Sequence, residues 1–94
     1  MIRVVTFLTN HCMVADIQDN NSEYIIMKTP VQIVAGTSVG SYVFVPFLEH
    51  TKDFESGIRV SKEHILCITE PVMDVYNNYQ SRFGSGITLA TSLQ

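Results

Sequence analysis

The chain has 94 residues, which is the length of one domain. Only 16% of them are charged, against about 25% in an average soluble domain. Because 46% are hydrophobic, we expect exposed apolar surface of the kind that forms a subunit interface. The net charge of −3 excludes the large basic face on which strong non-specific nucleic-acid binding depends.

Neither secretion nor membrane insertion is predicted by the sequence. Residues 1–8 have strand character and are too short for the apolar core and cleavage site of a signal peptide. No apolar stretch approaches the eighteen or so residues of a membrane span. We therefore expect a cytoplasmic protein, in the host cytoplasm if the protein is viral, with no membrane partner.

Cys12 and Cys67 both stand in apolar runs, which predicts two buried free thiols. A disulfide or a metal pair is the alternative. No second Cys or His lies at zinc-finger spacing from either residue, and the three histidines are scattered, so we expect no metal and no other cofactor.

Alternating apolar residues and turn signals predict five strands. They cover residues 2–8, 12–18, 24–28 with an extended continuation over 31–34, 42–48, and 65–69. Thr29-Pro30 is predicted to interrupt the third strand, and Pro46 to mark an edge position or a bend in the fourth.

The connections are predicted from their polar residues. Residues 19–22 are the strongest turn signal, residues 35–41 form a loop and residues 52–57 a charged loop. Residues 58–60 are a short extended piece, and residues 61–64 form a polar turn of 3₁₀ type.

After the fifth strand the apolar period changes from two to about 3.6. The apolar stripe at this spacing consists of Val72, Val75, Tyr76, Tyr79 and Phe83. Pro71 suits the first helical position and Gly84 a C-terminal stop, so the helix is predicted over residues 71–83. We interpret the stripe as the face that packs on the strands rather than as a base-stacking platform.

These elements predict a mainly β domain over residues 1–84, with a tail over 85–94 that is disordered or docks as a short strand. The fold class is all-β, a five-stranded open barrel of SH3-like type with one C-terminal α-helix. A four-stranded sandwich with a helix on one face is the alternative.

Two segments of the chain resemble the motifs of the Sm-like superfamily. The first covers residues 4–10, 14–17, 19–21 and 24–27, and the second covers residues 61–68 with the spacing Ile65-x-x-Ile68. Residues 44–48 and 83–87 are also similar to the small Sm-like proteins of T4-like cyanophages. Three features depart from the family: Ala15 replaces a glycine, Ser61-Lys62 replaces Arg-Gly, and the helix follows the strands instead of preceding them.

The resemblance implies a homo-oligomeric ring of five to seven subunits, in which the fourth strand of one subunit pairs with the fifth strand of the next. It also implies that the ring can bind single-stranded RNA in its pore, where the polar loops at residues 19–22 and 61–64 meet. Asn20 or Asn21 would read a base, Lys62 would hold phosphate and His64 would stack.

Other interpretations of the same residues remain open. The two polar loops can be ordinary turns, since Asn-rich turns form for conformational reasons alone. The chain is then an oligomeric structural or protein-interaction module without RNA, or a monomeric SH3-like domain that binds peptides in an aromatic groove. No Gly-x-Ser-x-Gly, His-Glu-x-x-His or Gly-rich phosphate motif occurs, so we expect no enzyme and no catalytic residues.

Overall fold

The computed structural model describes residues 1–83, so the predicted tail over 85–94 lies outside the described residues. The strands are β1 (Ile2–Phe7), β2 (Cys12–Gln18), β3 (Tyr24–Ala35), β4 (Tyr42–Pro46), β5 (Ile58–Ser61) and β6 (Ile65–Thr69). The helices are α1 (Asp53–Ser56) and α2 (Met73–Phe83), and a 3₁₀ turn over Lys62–His64 links β5 to β6. The mainly β class and the C-terminal helix are confirmed.

All the strands form one antiparallel sheet with the order β4-β3-β2-β1-β6, and the sheet does not close. β5 stands outside this path and pairs with the first part of β3, while β4 pairs with the second part. The prediction of five strands was therefore wrong by one. The piece at 58–60 becomes a strand because the long β3 offers it a paired partner that the local sequence does not reveal.

β3 runs through Thr29 and Pro30 without the predicted interruption. The ladder with β2 shifts register at this point, so no hydrogen bond is needed from the missing N–H of the proline. Thr29 has φ of 50°, which bends the strand. Pro30 does not end the strand. Its carbonyl accepts a hydrogen bond from the Phe47 N–H at 2.9 Å.

Side chains from the two faces of the sheet form two core clusters, because neighbouring strand residues point to opposite faces. One face buries Val5, Met13, Ala15, Ile17, Ile25 and Met27. The other face packs against α2 and buries Val14, Val31, Phe44, Val75 and Tyr79. The prediction that the helix covers the strands is confirmed.

The first turn of α2 differs from its prediction. The helix begins at Met73, two residues after the predicted start at Pro71, and the Val72 carbonyl accepts the first helical bond from the Tyr76 N–H at 2.9 Å. Val72 is 69% exposed and Tyr76 is 39% exposed, so only Val75, Tyr79 and Phe83 of the predicted stripe belong to the core cluster between the helix and the sheet.

Within the described residues, none of the helices combines the length and the apolar character that a membrane span requires.

Candidate functional site

The turn between β2 and β3 lies beside the 3₁₀ turn that precedes β6. The Lys62 backbone N–H donates to the Glu23 carbonyl at 2.8 Å, and the Lys62 ammonium lies 2.7 Å from the Asp19 carboxylate. The first contact continues the β3–β5 ladder by one residue. Pairing of β3 with β5 therefore brings together the two polar loops that the sequence singled out.

Asn20 and Asn21 differ in their surroundings. The Asn21 side-chain oxygen accepts a hydrogen bond from the Glu23 N–H at 2.8 Å, which shapes the turn in the way typical of asparagine. Asn20 is exposed, and its side chain has no hydrogen-bond partner within residues 1–83. Of the two, Asn20 is the residue available to a ligand.

Lys62 is not a free cation in this chain. Its ammonium pairs with Asp19, and Glu23 and Glu63 line the same shallow polar hollow. An approaching phosphate would have to displace the Asp19 carboxylate and would meet two further acidic side chains. The local charge weakens the predicted role of Lys62 in holding phosphate.

Tyr24 and Arg59 also line this hollow, and the sequence analysis missed both. The Arg59 guanidinium stacks 4.5 Å from the centre of the Tyr24 ring. The two residues are far apart in the chain and meet because Tyr24 pairs with Ser61 and Ile26 with Arg59. No local sequence signal marks this contact.

Within one chain, His64 and Lys62 line two different surfaces. Two residues along a turn with about three residues per turn point in different directions. His64 instead lines an open groove on the opposite side of the turn, together with Leu8 and His11.

The groove has a volume of about 590 Å³ and runs between β1, the bend of β3, and β5. Its floor and walls are mainly apolar and include Phe7, Leu8, Met13, Met27, Pro30, Phe47, Ile58 and Val60. Its polar side chains are those of Thr9, His11, Gln32, Ser61 and His64, and Arg59 also borders it. The His11 ring nitrogen Nδ1 lies 2.7 Å from the Thr9 hydroxyl, which orients the imidazole.

The two outer strands of the sheet, β4 and β6, carry exposed apolar side chains. Val43 and Val45 on β4 are 51% and 47% exposed, and Leu66 on β6 is 59% exposed. The edge position of β4 confirms the prediction made from Pro46. Leu66 lies where the β1–β6 register shifts, so it is an extra residue in the ladder.

The outer edge of β4 offers unpaired backbone groups. The Gly36 N–H donates to the Ser41 carbonyl at 2.9 Å, which fixes the phase of the β3–β4 ladder. Hydrogen-bonded pairs alternate along an antiparallel ladder. The backbone N–H and C=O groups of Val43 and Val45 therefore point towards β3. Those of Tyr42 and Phe44 point outwards, where another strand can pair with them.

The two cysteines are free thiols, as predicted, but neither is buried: Cys12 is partly buried and Cys67 is exposed. Both lie opposite Thr6, one on each neighbouring strand, and the Thr6 hydroxyl lies 3.5 Å from the Cys12 sulfur. Two strand spacings amount to about 10 Å, whereas a disulfide needs Cα atoms within about 7 Å. The fold therefore excludes a disulfide within one chain. Cys67 is exposed because β6 is an edge strand, which its apolar run did not indicate.

Two tyrosine hydroxyls fasten α2 to the sheet. Tyr42 donates to the Asp74 carboxylate at 2.7 Å and accepts from the Asn78 amide at 2.7 Å. The bond to Asp74 raises the pKa of Tyr42 because it favours the protonated phenol. Burial raises the pKa of Tyr79, whose hydroxyl donates to the Thr29 carbonyl at 2.8 Å.

Residues 1–83 contain no group of three or more His, Cys, Asp or Glu side chains that is arranged to hold a metal ion. No protein-family model matches the chain, and a search of curated proteins also finds no match. Function must therefore be inferred from the geometry of the chain itself.

Proposed function

We propose that the chain is a Sm-like subunit that assembles head to tail into a homo-oligomeric ring of five to seven copies. The observation that carries the proposal is the pair of free strand edges at opposite ends of one sheet, β4 and β6. Pairing β4 of one copy with β6 of the next satisfies both edges at once. Such a contact uses two different surfaces, so it repeats until the assembly closes.

The exposed side chains on these edges support the same contact. Val43, Val45 and Leu66 contribute apolar area that is in contact with water in the monomer. Burying apolar surface stabilises an interface by about 25 cal/mol per Å². The low fraction of charged residues agrees with a surface that is partly covered in the assembly.

The test is the solution mass of the full chain and of three lysine variants, measured by light scattering. One chain has a mass of 10.6 kDa, and we expect the wild type at five to seven times this value. We expect Val45→Lys on β4 and Leu66→Lys on β6 each to give monomers. Met73→Lys is the matched control, because Met73 is an exposed apolar residue that lies on α2 and not on either edge strand.

Mixing the two edge variants identifies the geometry of the contact. Each variant keeps one intact edge, so a head-to-tail contact predicts dimers in the mixture and nothing larger. A monomeric wild type contradicts the proposal. So does a wild-type dimer that is insensitive to Leu66→Lys, because that result indicates symmetric pairing of β4 with β4.

A second candidate function, binding of single-stranded RNA in the pore of the ring, is favoured by the contact between the two polar loops. In a ring, Asn20 and Lys62 from each copy would repeat around one axis, so weak contacts add up. Asp19, Glu23 and Glu63 oppose this function because they repeat around the same axis.

Fluorescence anisotropy with U-rich and A-rich oligonucleotides at low salt tests RNA binding. We expect Lys62→Ala to weaken binding and Lys52→Ala, at an exposed lysine outside the two loops, to leave it unchanged. Absence of saturable binding to an intact ring excludes the RNA function. The chain is then an oligomeric structural or protein-interaction module.

A further inference from the structure

The apolar groove beside His64 is used neither by the strand edges nor by the loops at Asn20 and Lys62. We infer that it binds a segment of a partner protein in which a large apolar side chain stands next to an acidic one. This inference does not depend on ring assembly, since every residue that lines the groove belongs to one chain.

The groove has the size and lining of a binding site. Its volume of about 590 Å³ falls within the range of about 300–1,000 Å³ that is typical of ligand pockets. Such pockets are mainly apolar with a few polar groups that orient the ligand, and this groove has the same composition. It is partly open to solvent, so a side chain of a partner protein can enter it.

The apolar side chains of the groove are the reason for proposing a large apolar side chain in the partner segment. Met13 and Met27 line its inner end, where both side chains belong to the buried core. Phe47 stands at one wall and is 37% exposed, so part of its ring is free to contact a ligand. A leucine or phenylalanine side chain from a partner would remove from water the exposed parts of Phe47 and of Leu8, which also lines the groove and is 59% exposed.

The polar side chains of the groove are the reason for proposing an acidic residue in the partner segment. The basic side chains that face it are those of His11 and His64, because Arg59 alternates with Ile58 and Val60 along β5 and stacks on Tyr24 instead. No Asp or Glu is among its described lining residues. The whole chain nevertheless carries nine acidic residues against six Lys and Arg. Imidazole N–H groups donate to carboxylates, and protonated histidines add charge attraction. The lining therefore complements an acidic segment.

The same lining favours a peptide over a nucleic acid. Single-stranded nucleic acids are held by several cations along the phosphate backbone. No lysine lines the described part of the groove, and the guanidinium of Arg59 is stacked on Tyr24. Neutral or singly charged histidines suit isolated carboxylates better than a continuous phosphate chain.

Selection from a phage-displayed library of random dodecapeptides on the immobilised full-length protein tests the inference. We expect enriched sequences that pair Leu, Ile or Phe with Asp or Glu. A fluorescein-labelled consensus peptide is then compared with a version in which Gln replaces each acidic residue. In NMR spectra the peptide should shift the amide signals of Phe7, Met13 and Phe47 rather than those of Asn20 and Lys62.

Variants assign the binding to the groove. Phe47→Ser should weaken the peptide about tenfold or more, as loss of an apolar contact in a binding site does. Val72→Ser, at an exposed valine away from the groove, should change nothing. The double variant His11→Gln, His64→Gln should bind the acidic peptide and its Gln version equally.

The inference is overturned if the peptide selection shows no enrichment over an empty support or gives a basic consensus. It is also overturned if the NMR shifts are confined to the two polar loops. Displacement of the peptide by oligo(U) would assign the groove to nucleic acid. Because the solution mass is measured on the same samples, failure of the groove and failure of the ring are separate results.

Discussion

Tyr79 is the side chain that connects most parts of the molecule. It is 1% exposed, its ring packs 5.7 Å from that of Phe83, and its hydroxyl donates to the carbonyls of Thr29 and Lys28 at 2.8 and 3.2 Å. These carbonyls lie at the bend of β3, where the strand changes partner from β5 to β4. A single phenol therefore satisfies backbone groups at the bend and anchors α2.

Tyr79→Phe should lower the free energy of unfolding by about 1–2 kcal/mol, because it removes the hydroxyl that donates to the part-buried carbonyls of Thr29 and Lys28. Tyr79→Phe should also lose less stability at alkaline pH than the wild type does. The folded-state pKa of Tyr79 is raised above its ordinary value of 10.0, so the unfolded chain loses the proton first. The contribution of the protonated Tyr79 hydroxyl to the free energy of unfolding is complete below pH 10 and is lost as the pH rises above that value.

Urea unfolding of wild type and Tyr79→Phe at pH 7, 9 and about 10.5 measures both effects. Tyr76→Phe is the control, because Tyr76 is an exposed tyrosine on the same helix. An equal alkaline loss of stability in the wild type and in Tyr79→Phe would contradict the assignment.

At the scale of the elements, α2 contacts the sheet through a narrower face than its sequence indicated. Val75 is buried against Val14, Val31 and Phe44, whereas Val72 is exposed just before the helix. Val75→Ala should therefore lower the free energy of unfolding by about 2 kcal/mol. Val72→Ala removes the same atoms and should change it by no more than about 0.5 kcal/mol. Chemical unfolding curves compare the two, and equal losses would place the contact face elsewhere.

Elements that depend on local pattern could be predicted from the sequence. β2 and β6 have the predicted bounds, because alternation and turn residues are local signals. The 3₁₀ turn before β6 was also predicted, and the Ser61 hydroxyl caps it by accepting from the Glu63 N–H at 3.3 Å. α1 was missed because it has only four residues, two of them acidic, and such a short polar segment has the composition of a loop.

Features that depend on pairing between distant segments could not be predicted. β5 forms because β3 bends at Thr29 and leaves its first part for another partner. The contact of Tyr24 with Arg59 follows from that pairing, and so does the separation of His64 from Lys62 by the turn after β5. The sequence identified the residue types of the candidate site, and the register of β3 with β5 decided which of them meet.

At the scale of the whole molecule, the described surface divides into three regions with different chemistry. Two free strand edges carry apolar residues, a polar hollow carries mixed charge, and a groove carries apolar and histidine side chains. Because the edges lie at opposite ends of the sheet, assembly through them would repeat the hollow and the groove once per subunit. A ligand that is weak at one subunit would then bind the assembly more tightly.

The proposed pairing of β4 with β6 predicts an alternating pattern of cysteine cross-links. Cys67 lies opposite Thr6, two residues from Val4, and Val4 packs in the cluster under α2 together with Tyr42 and Phe44. Cys67 therefore points to the same face of the sheet as Tyr42 and Pro46, while Val43 and Val45 point to the other face. This relation should hold across the interface, because paired strands continue one pleated sheet.

The native Cys67 is thus a built-in probe for the next subunit. In a Cys12→Ser background, whichever of Tyr42→Cys and Pro46→Cys the register places opposite Cys67 should form disulfide-linked oligomers under mild oxidation, because the two positions lie about 13 Å apart along the strand. Val43→Cys and Val45→Cys should form few. Non-reducing gels measure the products, and Cys67→Ser should abolish them. Equal cross-linking at all four positions would indicate random collision, and no cross-linking at any position would exclude this pairing. Cross-linking yields that alternate along β4 would identify β4 and β6 as neighbouring strands.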